Sequence, residues 1–485
     1  MQEVDSLKKK TLVGLFWSFS EVVLNQGIQF IIQIFLARLL LPKEFGLIGM
    51  ITVFIAVSNS IIDSGFTNAL IREENATQKD YSTVFYFNLI TSVLLYFILY
   101  GTSPYISEFF NQPELNKILR VLALTLIINS FGLIQRTILT KNINFKAQMN
   151  INILSSSLSG IIAIFMAYKG FGIWSLVFRT LIMQAIQAVM LSIINKWKPT
   201  LEFSITSFKK LFGFGWKLLI SGLIDTIYNN LYYLIIGKIY SAADLGYYTN
   251  AQKLRDVAAT SISTSVQKVT YPVLSSIQSY EDKLRSVYRR IIKCSVYITF
   301  PVMLGLTVIG ESIILFLFGE NWRGSIQYFQ ILCLAGMLYP LHAINLNILQ
   351  VKGRSDLFLK LEIIKKIIAV ILISISVISN LGIISLIWIM FLNSIIAFFI
   401  NSFYSKRIIN YSTWNQIKDI VPILFITILM ASISYFSGNV VQNYIVLKII
   451  VQILSGIISY IILSYIFKIE EFLTILNIFK KLLKR

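Results

Sequence analysis

The chain has 485 residues, 56% of them hydrophobic and only 14% charged, with a formal net charge of +20. A soluble chain would carry about a quarter charged residues. Here the apolar residues come in runs of roughly 20, long enough to cross a hydrocarbon core as helices and without the alternation of a barrel. A soluble domain and a β-barrel are therefore excluded. Nucleic-acid binding is excluded too, because Lys and Arg gather in alternate loops, as the positive-inside rule demands of a multispanning protein.

Taken in order, the runs predict an all-α polytopic membrane protein of about fourteen transmembrane helices. They lie at roughly 11–40, 45–64, 83–103, 115–135, 149–169, 172–196, 213–238, 246–275, 284–309, 326–351, 357–378, 380–405, 417–437 and 442–467. Lys8, Lys9 and Lys10 precede the first run, which has no small-residue cleavage site and reads as a retained helix. Cations mark every second loop: Arg72 and Lys79, then Arg136, Lys141 and Lys146, Lys196 to Lys210, Lys283 to Arg290, Lys352 to Lys360, and Lys406 to Lys418. Stretches 102–114, 379–382 and 437–444 carry none. That asymmetry places both termini in the cytoplasm. After Lys468, Phe472, Leu473, Leu476, Phe479 and Leu483 recur at helical spacing with Lys480, Lys481 and Lys484, predicting an amphipathic helix on the inner leaflet. Residues 204–210 are expected to lie on the same surface.

The chain repeats itself. Residues 11–46 return as 211–246, with Trp17 echoed by Trp216, Arg38 by Lys238, and Phe45-Gly46 by Leu245-Gly246. Farther on, Leu122-Ala123-Leu124 is echoed by Leu332-Cys333-Leu334, and Lys141 by Lys352. Such long-range repeats mean two homologous halves, and an even number of helices per half makes them parallel, a transporter architecture. The expected organisation is a six-helix lobe over 1–200, a second over 201–410, two extra transmembrane helices over 411–468, and a cytoplasmic amphipathic tail over 469–485.

No loop exceeds about 20 residues, which leaves no room for an extramembrane catalytic domain. No Walker loop, dinucleotide fingerprint or paired-cysteine zinc spacing is present. The expectation is a protein that is not an enzyme and takes no cofactor and no metal. Cys294 and Cys333 fall in apolar spans, and His342 reads as a packed or hydrogen-bonded helix residue.

Ionisable residues at membrane depth are expensive and mark function unless they snorkel to an interface. Arg179 lies about 10 Å from the outer end of its span, and Lys253 and Arg255 lie about 10–13 Å into theirs. Three cations at one level, from both halves, fit an outward-leaning cavity; snorkelling is the alternative. Lys217 and Lys268, nearer the cytoplasmic face, read as snorkelling, while Arg38 and Lys238 close the first span of each half and complement a helix dipole. Glu21 and Asp225 are near mid-membrane on stems too short to snorkel far. Asn25 and Gln29 follow Glu21 at i+4 and i+8, and Asn229 follows Asp225 at i+4, so each set shares one helix face. The preferred reading is a polar stripe facing a central cavity, and the alternative is an inter-helix hydrogen bond. A buried carboxylate is also a candidate for proton or sodium coupling.

ARLLLPKEFGLIGM (37–50), PYISEFFNQPELNKILRVLAL (104–124), QRTILTKNINFKA (135–147), LGYYTNAQKLRDV (245–257) and FGENWRGS (318–325) carry a resemblance. With the twelve-plus-two helices, the chain resembles the polysaccharide exporter branch of the MATE-like MOP superfamily, and more narrowly the Wzx flippases of O-antigen and capsule repeat units, of the WzxC-like lipopolysaccharide exporter kind. The resemblance implies a MATE/lipid II flippase-like fold in the bacterial inner membrane. It implies translocation of a polyprenyl-pyrophosphate-linked glycan, the undecaprenyl-pyrophosphate-linked repeat unit, by alternating access through a cationic cavity. That role falls here on Arg179, Lys253 and Arg255. The related lipid II flippase has arginines in its first two helices, whereas this chain has no cation inside its first span or in its second. The two extra helices are expected to form a groove for the lipid tail. The expected assembly is a monomeric transporter in contact with membrane lipid and associated with polysaccharide polymerase machinery.

Two rival functions remain at this stage. A multidrug antiporter of the same fold predicts acidic residues dominating the cavity. A membrane glycosyltransferase or polymerase predicts a substantial outer loop bearing catalytic groups.

Overall fold

A computed structural model describes residues 2–441 and 444–473. Leu476, Phe479, Lys480, Lys481, Leu483 and Lys484 of the predicted tail lie outside the described residues, as do the side chains of Lys8, Lys9, Lys10 and Lys268. Among the described residues there are helices and no strand. The first ten are α1 (Gln2–Leu39), α2 (Pro42–Asp63), α3 (Phe66–Arg72), α4 (Gln78–Phe109), α5 (Glu114–Leu122), α6 (Leu124–Lys141), α7 (Phe145–Tyr168), α8 (Trp174–Asn195), α9 (Ile205–Asn229) and α10 (Leu231–Ile239). Then come α11 (Ala242–Ser276), α12 (Glu281–Phe318), a short 3-10 turn (Glu320–Trp322), α13 (Ser325–Gly336), α14 (Tyr339–Val351) and α15 (Ser355–Ile378). The chain continues through α16 (Gly382–Phe403), α17 (Ser405–Ile409), α18 (Thr413–Asn439) and α19 (Ile445–Ile466).

Twelve helical spans among the described residues are long and apolar enough to cross a membrane. The count of fourteen is not reached by that measure, and the reason is chemical. Helices stand at the places of the eighth and eleventh predicted spans, but α11 carries Asp244, Lys253, Arg255 and Asp256, and α15 carries Lys360, Glu362, Lys365 and Lys366. Ionised side chains along these two helices, not a break in either, set them apart from the twelve apolar spans.

The chain divides into two compact units, Met1–Thr249 and Asn250–Arg485. In the first, α1 packs along α7, α6 along α8, and α9 against α2 and α3. Small residues permit the close approaches, as in membrane helix pairs generally. Gly160 faces Ile32, Gly132 faces Leu191 and Ala188, and Gly65 meets Gly215, where a Cβ on Gly65 would stand 2.5 Å from the Gly215 carbonyl oxygen. Gly65 also has φ +72, and with Ser64 at φ 45 it breaks the second span into α2 and α3. An apolar cluster of Phe66, Leu70, Val84, Phe85, Ile134 and Leu211 fills the space around that break.

The repeat is visible in how helices begin. The Leu41 N–H donates to Glu44 at 2.7 Å at the start of α2, and the Ser241 N–H donates to Asp244 at 3.2 Å at the start of α11. A carboxylate three residues inside a helix satisfies an otherwise orphaned donor and suits the positive end of the dipole. In the second unit, α12 packs on α13, α18 and α19, and α18 on α19. Its polar centre is Asn345, which is fully buried and bonds Tyr288, Gln416 and Ser405.

Candidate functional site

The first unit holds a chain of hydrogen bonds through four helices. Arg136 of α6 donates to Gln187 of α8 at 3.1 Å, and Gln187 donates to Asn152 of α7 at 3.1 Å. Asn152 in turn donates to the Glu21 carboxylate of α1 at 2.5 Å. One turn along, Ser156 of α7 donates to Asn25 at 2.8 Å, and Gln29 donates to the same oxygen at 3.4 Å. Positions 152 and 156 on α7 meet 21 and 25 on α1 because both pairs are four residues apart. The polar stripe read from Glu21, Asn25 and Gln29 therefore exists, and Asn152 and Ser156 of the facing helix bond its Glu21 and Asn25. Their partners lie 131 residues away in sequence.

Arg136 was expected in a loop, but it lies within the last two turns of α6 with its guanidinium on the α8 side. Nothing local in the sequence distinguishes it from Lys141 or Lys146. Gln187 and Asn152 were not anticipated, although uncharged amides inside apolar helices are the signal that finds such partners.

Arg179 stands six residues into α8, half-buried. Arg179, Met183 and Gln187 follow at four-residue steps, so they share one face. Ser156 contacts Met183 at 3.9 Å, which places that face toward α7. Among the described residues Arg179 makes no hydrogen bond and no ion pair. Asp225 and Asn229 lie on exposed positions of α9, while the intervening Thr226 bonds Ser60 of α2 at 2.9 Å.

Lys253 and Arg255 belong to the second unit, two residues apart on α11 and hence on different faces. Lys253 is exposed, whereas Arg255 is only 3% exposed. Its guanidinium donates to the Tyr339 hydroxyl at 2.7 Å, lies over that ring at 5.2 Å, and pairs with Asp256 at 2.7 Å. Gly336 makes room for it, since a Cβ there would stand 3.2 Å from Arg255 Cδ. Nearness along the helix therefore does not make these two cations alike. A further pair, Lys365 with Glu362 at 2.5 Å, sits inside α15 with side chains 12% and 28% exposed. Sequence reasoning passed over it, although the signal lay inside a predicted span. His342 bonds Ser394 at 2.9 Å, as a packed helix residue would. Among the described residues no group of His, Cys, Asp and Glu is placed to hold a metal.

A family model described as polysaccharide biosynthesis protein matches residues 35–327. The chain belongs to this family. As a polysaccharide biosynthesis protein it is 27% identical to the teichuronic acid biosynthesis protein TuaB of Bacillus subtilis, over 73% of each chain. It is 25% identical to the lipopolysaccharide biosynthesis protein WzxC of Escherichia coli, over 74% of each. A solved structure of the lipid II flippase MurJ in an inward closed conformation shares the fold, with a TM-score of 0.76 at 16% identity over 94% of this chain and 98% of that one. An inward-facing multidrug resistance MATE family transporter of the MOP superfamily matches at a TM-score of 0.59 and 18% identity, over 79% and 94%.

The resemblance drawn from the sequence runs is thereby borne out, and with twelve apolar spans this polysaccharide biosynthesis protein is a multi-pass membrane protein. The runs that carried the resemblance hold packing residues. Trp322 in FGENWRGS is fully buried, and Gly46 and Gly246 sit at backbone contacts. Such motifs identify a fold more readily than a substrate.

Proposed function

We propose that this chain is a flippase that moves undecaprenyl-pyrophosphate-linked oligosaccharide repeat units from the cytoplasmic to the periplasmic leaflet of the bacterial inner membrane. Its termini lie in the cytoplasm, and alternating access runs between lobes 1–200 and 201–410. The relatives are named for teichuronic acid, lipopolysaccharide and, in a transport protein of Rhizobium meliloti, succinoglycan. Products so different favour recognition of a feature outside the glycan, and the lipid diphosphate is the feature proposed for this chain.

The observation that carries the reading is Arg179: a cation within an apolar span, with no hydrogen-bond or ion-pair partner among the described residues. Such a group at membrane depth implies an anion that visits it. Lys253, exposed on α11, is the second contact, and Arg255, paired with its neighbour Asp256, ties α11 to α14 through Tyr339. Two negative charges moving outward gain roughly 4–5 kcal/mol per 100 mV of membrane potential. Glu21 and Asp225, with Asn25 and Asn229 on their faces, are the proposed coupling positions for a proton or sodium ion.

The test is reconstitution. Vesicles holding the purified chain and a fluorescent lipid-diphosphate oligosaccharide are probed with a membrane-impermeant lectin. Faster loss of the protected pool than in protein-free vesicles is the expected result, and an equal rate in both would overturn the proposal.

A further inference from the structure

The second unit contains a pocket of about 810 Å³, lined by α12, α18 and the residues just after α19, that the transport reading does not use. Arg285, Arg289 and Lys293 stand at i, i+4 and i+8 on one face of α12, with Arg290 beside them. Four cations thus share about 12 Å of helix, and like charges at that spacing repel. Each needs a counter-charge.

Arg289 has one. It grips Asp419 of α18 through Nε and Nη2, both at 2.6 Å, and Tyr411 donates its hydroxyl to the same carboxylate at 2.6 Å. Lys293 has two: Glu470 at 2.9 Å and Glu471 at 2.7 Å, the latter with a side chain only 7% exposed. The hydrogen bond from Lys293 holds the Glu470 carboxyl below the ordinary carboxylate range. Arg285, the third member of the row, makes no ion pair among the described residues, although Asp282 stands one turn before it. Lys418 faces the same pocket from α18, its ammonium 6.0 Å from the centre of the Trp414 ring. Trp414 is 62% exposed at the start of its span, the level at which indoles anchor helices among lipid headgroups.

We propose that this pocket binds the phosphate group of a membrane lipid, with Arg285 and Lys418 as its contacts from two helices and the Arg289–Asp419–Tyr411 cluster as a fixed wall. Basic pockets between helix ends at a membrane surface suit phosphorylated headgroups, where each nearby cation contributes about 1 kcal/mol. An anionic phospholipid and a polyprenyl diphosphate offer the same chemistry. The site does not depend on Arg179 or on the transport reading.

The experiment uses the delipidated full-length chain in detergent. Phosphatidylglycerol, undecaprenyl diphosphate and phosphatidylcholine are titrated separately and bound lipid is counted by native mass spectrometry. The anionic lipids are expected to bind more tightly than phosphatidylcholine, and their affinity to fall about thirtyfold in R285Q/K418Q, the pair of contributions converted. R285K/K418R is expected to keep it. Tighter phosphatidylglycerol assigns the site to bulk phospholipid, and tighter undecaprenyl diphosphate to the carrier lipid. The single variant Lys418→Gln, at an exposed side chain, reads the same effect at about fivefold if the double variant does not fold. Phosphatidylcholine binding as tightly as both anions, or an affinity indifferent to these substitutions, would overturn the proposal. R179A is expected to bind phosphatidylglycerol as the wild type does, whatever it does to undecaprenyl diphosphate, so a failed transport reading leaves this outcome distinguishable.

Discussion

Gly46 and Gly246, equivalent positions of the two sequence repeats, meet through each other's helix starts. A Cβ on Gly46 would stand 2.7 Å from the Ala242 carbonyl carbon, and one on Gly246 would stand 2.6 Å from the Pro42 carbonyl carbon. Each glycine thus meets the residue four before its counterpart, a reciprocal contact of the kind a two-fold relation produces. The obstacle is backbone, which cannot swing aside. Gly46→Ala and Gly246→Ala are each expected to cost about 1–3 kcal/mol, seen as a lower thermal midpoint of the purified protein. Gly101, with no atom within 4 Å of its would-be Cβ, is the control, and Gly101→Ala should leave the midpoint in place.

Arg179→Ala is expected to slow flipping about tenfold or more while the protein inserts and unfolds normally, because among the described residues its charge bonds nothing. Arg179→Lys keeps the charge and should retain part of the rate. Wild-type flipping by the alanine variant would remove Arg179 from the transport path.

Glu21 separates two roles by two substitutions. Glu21→Gln preserves an acceptor oxygen for Asn152 and removes the carboxylate. Stability is expected to stay within about 1 kcal/mol of the wild type, while the response of transport to an imposed pH gradient disappears. Glu21→Ala strands the Asn152 amide and should cost about 1–3 kcal/mol. A glutamine variant that still follows the gradient reduces Glu21 to a structural bond.

Asn345 is the other buried node to test. Its side-chain oxygen accepts from Tyr288 at 2.8 Å, Gln416 at 3.0 Å and Ser405 at 3.1 Å, and its amide donates to Leu341 and Gln416. Asn345→Leu leaves three donors facing hydrocarbon and is expected to destabilise by about 3 kcal/mol. Chemical denaturation in mild detergent measures it, with Asn347→Leu on the same helix for comparison.

Helix positions, the repeat and the family were legible because each is written locally or periodically: apolar runs, the return of 11–46 at 211–246, and loop motifs. The breaks were not. Gly65 looks like any helix glycine until Gly215 is seen to press on it. Direction was legible only as far as spacing goes. The stripe of Glu21, Asn25 and Gln29 could be drawn, but whether it faces a cavity or α7 depends on Asn152 and Ser156, which no local rule links to it. In the same way Lys253 and Arg255 stand two residues apart and differ in surroundings, because Tyr339 arrives from another helix.

The seam between α18 and α19 has a consequence for how the molecule is made. Ser437 and Ser455 bond at 2.6 Å, Ser434 donates to the Gln452 carbonyl at 2.8 Å, and Gly438 lies against the Gln452 side chain. Each of these bonds spans only 18 residues of chain, so little loop entropy opposes their formation. The hairpin of α18 and α19 can close on itself before it finds α12. A chain caught at that stage would carry a finished hairpin in search of its berth.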